Sequence, residues 1–326
     1  MKKENESVIQ EKFKTLIGGQ ALIEGIMMRG PSKQSIVVRK PDGSMEVKTE
    51  ELKLVKAKHP VLGLPLIRGP VNFIDSMVKG VQALMFSAEF YPEDEEQEEP
   101  SKFEKWLTEK LGNEKMTSLL IGIAVLVGAL FAIGLFMLLP TALGSGFMTL
   151  LPGLPGWVRH LFEGVVRIAL FIGYLAFCAH TKDIKRVFSY HGAEHKTIFC
   201  YERGLDLTVE NVRKMPRHHP RCGTSFLFVV IVVAILLYSV LFSFVTPPNL
   251  AVRMLIQVAL IPVIVSITYE FNRFVGRHDN ALTRFLVRPG LWLQNFTTFE
   301  PDDSMMEVGI EALKQVLPEV KGEDAW

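Results

Sequence analysis

The segment YHGAEHKTIFCYERG, residues 190–204, places two imidazoles and one carboxylate within five positions, as His191, Glu194 and His195. In a helix, residues i and i+4 lie one above the other on the same face, so both imidazoles can reach one metal ion. The order His-x-x-Glu-His is the inverted zinc-peptidase pattern, in which the histidines bind metal and the glutamate polarises a water molecule. The spacing of the apolar residues predicts that this segment is a helix ending near Gly204.

Further candidate ligands lie close to the ends of long apolar segments. The motif RHHPRCG, residues 217–223, places His219 and Cys222 in a turn short enough for an imidazole and a thiolate to reach one ion. Glu270 lies at the end of a later apolar segment, at the same predicted depth. Imidazole and thiolate favour zinc or a similar divalent transition metal. The candidate metal ligands are therefore His191, His195, His219, Cys222 and Glu270, and the candidate catalytic residue is Glu194.

Four apolar segments predict transmembrane helices. Residues 117–139 and 223–245 contain no charged residue and are long enough to cross the hydrocarbon core of a bilayer. Residues 157–179 and 249–269 are also apolar but carry a few charges. The predicted fold is a mainly α-helical membrane protein with four transmembrane helices, a small cytosolic N-terminal region that contains β-structure, and cytosolic loops.

Charged residues inside the second predicted span need partners. Glu163 and Arg167 stand at i, i+4, where they can pair and lower the cost of insertion. The pair fits either a polar cavity or a contact packed between helices.

The loops differ strongly in basic residues. Residues 181–222 contain nine Lys and Arg, whereas 141–156 and 246–249 contain none. Because basic residues of short loops are retained on the cytoplasmic side, we expect both termini and residues 181–222 to lie in the cytosol. The predicted location is the cell membrane, with several passes through the lipid bilayer.

The chain is predicted to divide into four consecutive regions. SIVVRKPDGSMEVKTEEL, residues 35–52, indicates a β-hairpin that turns at Pro41-Asp42-Gly43. Pro70 opens an apolar stripe at helical spacing, and EDEEQEEP is an acidic linker. The regions are a cytosolic N-terminal part (1–92), the linker with a surface helix (93–116), the transmembrane part containing the loop 181–222 (117–270), and a cytosolic C-terminal part (271–326).

Two motifs have more than one interpretation. The glycines of GGQALIEGIMMRGP match neither a P-loop nor a dinucleotide fingerprint, so they indicate tight turns or a ligand. Acidic residues gather at the start of a predicted C-terminal helix, where they fit capping of the helix or ligand binding. These acidic residues are Glu300, Asp302, Asp303 and Glu307.

Composition excludes several classes of protein. The 326 residues have a net charge of +1, and no basic stripe with interleaved aromatic residues indicates nucleic-acid binding. The three cysteines are widely spaced and odd in number, which does not indicate a disulfide framework. A reducing, cytosol-facing environment suits them.

The motifs GGQALIEGIMMRGP, YHGAEHKT, HPRCGTSF and PGLWLQNFTTFEPDD together closely resemble the bacterial YqhQ-like family of membrane proteins. The resemblance extends from about residue 17 to residue 313. It implies a metal-dependent, polytopic membrane protein of a family whose function is unknown. It also implies that the metal site includes His191, Glu194, His195, His219 and Cys222.

The first function that fits is a membrane metallohydrolase such as a peptidase. His191 and His195 would bind Zn²⁺, Glu270 or His219 would complete three protein ligands, and water would occupy the open position. Glu194 would be the general base. No motif identifies the protein or small molecule that would be the substrate.

The second function is that of a non-catalytic scaffold, channel or transport component with a structural metal. Here His191, His195, His219 and Cys222 fill all four positions and leave none for a substrate. The number of protein ligands distinguishes the two functions. In a third interpretation the protein binds no metal at this site, and these polar side chains only form hydrogen bonds with one another.

Overall fold

The computed structural model describes residues 13–52, 60–91, 113–278, 280–320 and 322–325. Helices predominate within these residues, as predicted. The strands are β1 Gly18–Leu22, β2 Gly25–Arg29, β3 Lys33–Arg39 and β4 Met45–Glu51. The α-helices are α1 Arg68–Ala88, α2 Asn113–Ile133, α3 Leu139–Leu150, α4 Gly156–His180, α5 Lys182–Glu202, α6 Val209–Arg213, α7 Gly223–Phe244, α8 Leu250–Ala259, α9 Ile261–Arg277, α10 Ala281–Thr297 and α11 Asp303–Lys314. The predicted acidic linker and most of the predicted surface helix lie outside the described residues.

The four strands form an antiparallel sheet in the order β1-β2-β3-β4. The predicted hairpin is confirmed as β3 and β4, paired from Lys33 opposite Glu51 to Arg39 opposite Met45. The glycine-rich motif forms a second hairpin, β1 and β2, which the sequence analysis did not predict. Glycine disfavours strands, so its frequency in this motif concealed the alternation of the other residues.

Strands β2 and β3 are buried on both faces of the sheet. Side chains alternate along a strand, so Ile26 and Met28 of β2 pack with Tyr190 of α5 and Leu313 of α11. The opposite face packs Leu22, Met27, Ile36 and Val38 against Ala83 of α1. The sheet therefore lies between α1 on one face and the pair α5 and α11 on the other.

Helix α5 carries the His-x-x-Glu-His motif. It begins at Lys182 and ends at Glu202, and the predicted stop at Gly204 has φ of +62°. A left-handed conformation costs glycine less than other residues, which explains why the chain turns away from the helix here. The helix predicted from the motif is confirmed.

Within the described residues, four helical segments are long and apolar enough to cross a membrane. This supports the predicted multi-pass membrane protein, while the side on which each loop lies stays a prediction. The segments are Leu119–Leu150, Gly156–His180, Gly223–Phe244 and Leu250–Arg277.

The first segment is longer than predicted because a π-helical turn, Gly134–Leu138, joins α2 to α3. Pro140 follows this turn and has no backbone N–H, so it cannot bond the carbonyl of Phe136 four residues earlier. The Nε of Arg167 donates to that carbonyl over 3.1 Å instead. A side chain on α4 thus bonds a backbone carbonyl that the proline cannot bond.

The described residues divide into two compact units. The first comprises the described parts of Met1–Tyr91, Tyr174–Val233 and Pro262–Trp326, and it contains the sheet with α1, α5, α6, α10 and α11. The second comprises the described parts of Pro92–Gly173 and Ala234–Ile261. Segments far apart in the sequence therefore form the first unit.

Candidate metal centre

Helix α5 brings the two histidines of the motif together inside the first unit. The ring centroids of His191 and His195 are 4.4 Å apart, as expected for side chains one helical turn apart. The segment after α10 crosses this part of α5, where Phe299 N–H donates to the carbonyl of Phe188 over 3.0 Å. A Cβ atom at Gly192 would collide with the Phe299 carbonyl oxygen, so only glycine permits this close approach.

Cys222, immediately before α7, completes a group of three possible metal ligands. One nitrogen each of His191 and His195 and the Sγ of Cys222 lie within 4.8 Å of one another. The Nε2 of His191 is 3.2 Å from the Cys222 Sγ. His195 and Cys222 are buried, and His191 is partly buried.

Backbone carbonyls orient both histidine rings. The Nδ1 of His191 is 2.8 Å from the Thr297 carbonyl oxygen, and the Nδ1 of His195 is 2.5 Å from that of Arg217. A carbonyl can only accept, so each Nδ1 carries a proton, and Nε2 is the ring nitrogen that is left for a metal ion. Carbonyl groups hold metal-binding histidines in this way in known metal sites.

Glu194 lies beside the three possible ligands and is 5% exposed. Its Oε1 accepts a hydrogen bond of 2.9 Å from the backbone N–H of Gly19 in β1. Its Oε2 is buried and has no hydrogen-bond partner among the described residues. A Cβ at Gly19 would lie 3.1 Å from the Cδ of Glu194, so the glycine allows β1 to approach the carboxylate.

His219 lies beside this group, but the structure engages its nitrogens elsewhere. Its Nδ1 accepts from the Arg221 backbone N–H over 3.3 Å, and its Nε2 is 3.5 Å from Oε2 of buried Glu202. The side-chain amide of Gln294 in α10 binds both the N–H and the carbonyl of His219, each over 2.7 Å. His219 therefore forms part of a buried polar network next to the group of possible ligands.

Glu270, another predicted ligand, is not among the three described donors that lie together and is paired with an arginine instead. Its Oε1 and Oε2 accept from Nε and Nη2 of Arg68 over 2.7 Å and 2.5 Å. Arg68 opens α1, a position that the pattern of apolar segments did not connect with Glu270. The carboxylate is a partner in a bidentate ion pair.

The acidic residues near α11 also have structural partners. Asp302 caps α11, where its Oδ1 accepts from the Met305 N–H over 3.0 Å, so the capping interpretation holds for this residue. The other three carboxylates pair with basic side chains of neighbouring segments. These pairs are Glu300 with Lys196, Asp303 with Arg213, and Glu307 with Arg39.

Burial and neighbouring charges shift the ionisation of the site in opposite directions. Burial alone raises the pKa of the Cys222 thiol, but His191 and His195 hold that pKa well below its usual range. Burial lowers the pKa of His191, yet Cys222 and Glu194 together raise it to about 9. Burial lowers the pKa of His219 well below its usual value and raises the pKa of Glu194. The protein thus favours a thiolate at Cys222.

Two adjoining cavities give access to these side chains. A cavity of about 150 Å³ is lined by His191, Glu194, His195, His219 and Cys222. A larger one of about 700 Å³ also has Cys222 on its wall. The larger cavity is lined as well by Arg221, Asn272, Arg273, Arg277, Phe226 and Val229.

Three contributors to the site were not predicted from the sequence as site residues. Gln294 lies in PGLWLQNFTTFEPDD, where a glutamine on an otherwise apolar helical stretch was the available signal. Glu202 lies two turns after His195 on α5, and spacing alone did not separate it from a surface charge. The contact of Gly19 with Glu194 joins residues 175 positions apart and had no local signal.

Comparison with known proteins agrees with the resemblance seen in the sequence. Residues 64–319 match the family described as "Protein of unknown function (DUF1385)". The chain is 34% identical over 313 residues to "Uncharacterized protein YqhQ" of Bacillus subtilis (strain 168), over 94% of each chain. No solved structure matches it. The chain belongs to the DUF1385 family, and the resemblance to YqhQ is confirmed.

Proposed function

We propose that this DUF1385 protein is a membrane metallohydrolase that binds a zinc-like divalent ion through His191, His195 and Cys222. The observation that carries the proposal is the convergence of these three donors within 4.8 Å, beside a Glu194 oxygen that has no hydrogen-bond partner in the part of the chain that the structure describes. Two imidazoles and one thiolate are ligands that zinc prefers. Three protein ligands leave a fourth position for water or substrate, as in catalytic zinc sites.

The residues around the donors have distinct tasks in this proposal. When bound, the metal ion lowers the pKa of water and polarises a carbonyl or phosphoryl group of the substrate. Glu194 accepts the proton of the attacking water through its free Oε2, while the Gly19 N–H fixes the other oxygen. The Thr297 and Arg217 carbonyls keep Nε2 of each histidine available.

A structural metal with a closed shell is the less favoured alternative. It requires His219 as the fourth ligand. The nitrogens of His219 already face the Arg221 N–H and the Glu202 carboxylate. The open site of a hydrolase therefore agrees better with the positions of the side chains.

The larger cavity supports a particular class of substrate. Arg221 pairs with Glu202, but Arg273 and Arg277 attract an anionic group, and apolar side chains such as Phe226 and Val229 suit a hydrophobic portion. Cys222 lies on the same wall. An amphipathic substrate with an anionic group can thus extend from this cavity to the proposed metal.

We further propose that the site faces the cytosol and that both termini lie there. The support is the contrast between nine basic residues in 181–222 and none in 141–156 or 246–249. Reporters fused after Gly153 and Asn249 should face outward, and a C-terminal reporter should face the cytosol. An outward C-terminal reporter would contradict this orientation.

Glu194→Gln tests the catalytic role. Glutamine keeps the volume and the contact with Gly19 but cannot accept the proton, so the rate should fall by about 10²–10⁴-fold. The variant should retain its metal and abundance yet fail to restore the phenotype of a strain that lacks the gene. Full rescue at normal metal content would reject the hydrolase. Normal rescue by Glu210→Gln, an exposed acid on α6, provides the control.

The 3.2 Å contact between His191 Nε2 and Cys222 Sγ favours a second candidate, a hydrolase with a cysteine nucleophile. Cys222→His distinguishes the two because histidine replaces the metal ligand but not the thiol. Rescue by Cys222→His supports the metallohydrolase. A Cys222→His variant that retains its metal but does not restore the phenotype supports the cysteine nucleophile.

A further inference from the structure

The second unit contains a buried group of charges separate from the candidate metal centre. Residues 119–173 and 234–261 carry one acid, Glu163, and three arginines, Arg159, Arg167 and Arg253. Three guanidinium groups against one carboxylate leave an excess of two positive charges. Glu163 is 2% exposed, and Arg167 and Arg253 are each 6% exposed. All four residues lie in helical segments apolar enough to cross a membrane, where an uncompensated charge is costly.

The single carboxylate is already fully engaged. Nη2 of Arg253 donates to both oxygens of Glu163, over 2.8 Å and 3.0 Å, and Nε of Arg159 donates to Oε1 over 2.9 Å. Gly144 leaves the space for this carboxylate, since a Cβ there would lie 2.7 Å from Glu163 Oε1. Glu163 therefore cannot neutralise more than one of the surrounding guanidinium charges.

The predicted pair of Glu163 with Arg167 is present at its longest, with Nη2 of Arg167 4.0 Å from Oε2 of Glu163, and Arg167 also has a structural task. It donates to the Phe136 carbonyl, which Pro140 cannot bond, over 3.1 Å, and to Thr141 Oγ1 over 3.4 Å. Its guanidinium also lies 5.6 Å from the centroid of the Tyr238 ring. The positive charge of Arg167 remains part of the group, and of the three arginines Arg159 and Arg253 line the adjacent cavity.

Arg253 has donor capacity that the described residues do not use. Its Nε is buried and has no hydrogen-bond partner among them. Arg253, Arg159, His160, Ser145 and Asn249 line a cavity of about 330 Å³ together with apolar residues such as Phe242 and Leu250. This volume is in the range of small-molecule sites. Arg159 and Arg253 therefore bring positive charge to a cavity whose described lining contains no acid, which favours an anionic partner.

We propose that this cavity is a binding site for a phosphate monoester group. Guanidinium groups bind phosphate oxygens in paired hydrogen bonds. A phosphate monoester carries about −1.5 to −2 charges at neutral pH, which matches the excess of two positive charges, whereas a carboxylate compensates only one. The group can belong to a lipid, whose acyl chains would contact Phe242 and Leu250, or to free phosphate.

Calorimetric titration of the full-length protein in a phosphate-free detergent tests the site. The probes are dihexanoylphosphatidic acid, dihexanoylphosphatidylcholine and inorganic phosphate. Phosphatidic acid should bind at about one per chain and at least about tenfold tighter than phosphatidylcholine. Tighter binding of phosphatidic acid than of inorganic phosphate identifies a lipid as the source, and equal binding identifies free phosphate. Equal binding of the two lipids overturns the proposal.

Variants of the two arginines that line the cavity test whether phosphatidic acid binds there. Arg159→Gln and Arg253→Gln should each weaken binding of phosphatidic acid by about tenfold or more, because each removes a charge-assisted hydrogen bond. Arg213→Gln is the matched control, since this arginine is 54% exposed, pairs with Asp303, and lies in the first unit. Wild-type affinity in both cavity variants overturns the proposal.

A measurement on the wild-type protein covers the case in which a variant fails to fold. Phenylglyoxal modifies arginines, and Arg159 is 25% exposed. Phosphatidic acid or phosphate should slow modification of Arg159, as mapped by mass spectrometry, and leave that of Arg213 unchanged. Unchanged modification of Arg159 at saturating ligand overturns the proposal.

Discussion

Two buried glutamates, Glu194 in the first unit and Glu163 in the second, have opposite surroundings. Both oxygens of Glu163 accept from arginine side chains. Glu194 receives one backbone N–H, and its second oxygen has no hydrogen-bond partner among the described residues. A buried carboxylate with cationic partners compensates charge, whereas one with a free oxygen next to possible metal ligands is available for proton transfer. Burial alone does not distinguish these roles, but the partners do.

The two units also differ in the donors that they offer a ligand. The first unit collects imidazoles and a thiolate, which attract a metal cation. The second collects guanidinium groups, which remain charged and attract an anion. We therefore expect the polar cluster of the first unit to bind a cation and that of the second unit to bind an anion.

The largest effect on stability is expected for Glu163→Gln. Glutamine leaves Arg159 and Arg253 without their carboxylate, and breaking a buried ion pair costs about 3–5 kcal/mol. The midpoint of thermal unfolding in detergent should therefore fall markedly.

Glu194→Gln is the matched control for that comparison, because the buried Oε2 that it alters has no hydrogen-bond partner among the described residues. Its midpoint should remain close to that of the wild type. Equal losses in both variants would show that the two glutamates do not differ in the way the contacts indicate.

An intermediate effect is expected for Gln294→Ala. Gln294 holds the backbone of His219 through two hydrogen bonds of 2.7 Å, three residues before Cys222. Loss of such support typically lowers metal affinity by about 10–100-fold. Competition with a zinc-binding dye would measure the change in folded protein. The control is Asn295→Ala, at an exposed neighbouring residue, which should keep the wild-type affinity for zinc. Equal zinc affinity of the two variants would show that the His219 segment does not support the metal site.

The smallest effect is expected at the acidic residues of α11. Asp302→Ala removes an N-cap hydrogen bond of 3.0 Å and should cost about 0.5–2 kcal/mol. Asp303→Ala should cost less, since its pair with Arg213 is exposed. Thermal unfolding ranks the two variants. The metal content should not change in either variant. A variant that loses metal would indicate that its acidic residue is a metal ligand.

Local patterns in the sequence predicted the parts of the fold that depend on local physics. The uncharged segments, the β3–β4 hairpin and helix α5 follow from periodicity, and the spacing of His191 and His195 follows from the helix. Cys222 was also identified correctly as a neighbour of these histidines, because its motif adjoins an apolar segment.

Contacts between distant segments could not be read from the same patterns. Helix α10 contains Pro289, which disfavours a helix interior, so no helix was predicted there. Glu270 was placed by its depth in the membrane, but depth does not reveal Arg68 as its partner. The contact of Gly19 with Glu194 depends on strand β1, whose glycines concealed it.

The metal content of the purified protein tests the central claim most directly. Plasma mass spectrometry should find about one zinc-like ion per wild-type chain and almost none in the His191→Ala, His195→Ala double variant, because too few ligands remain. Glu194→Gln should retain the wild-type content. A double variant that folds and keeps the full metal content of the wild type, or a wild-type protein without metal after expression in zinc-supplemented medium, would contradict the proposed metal centre.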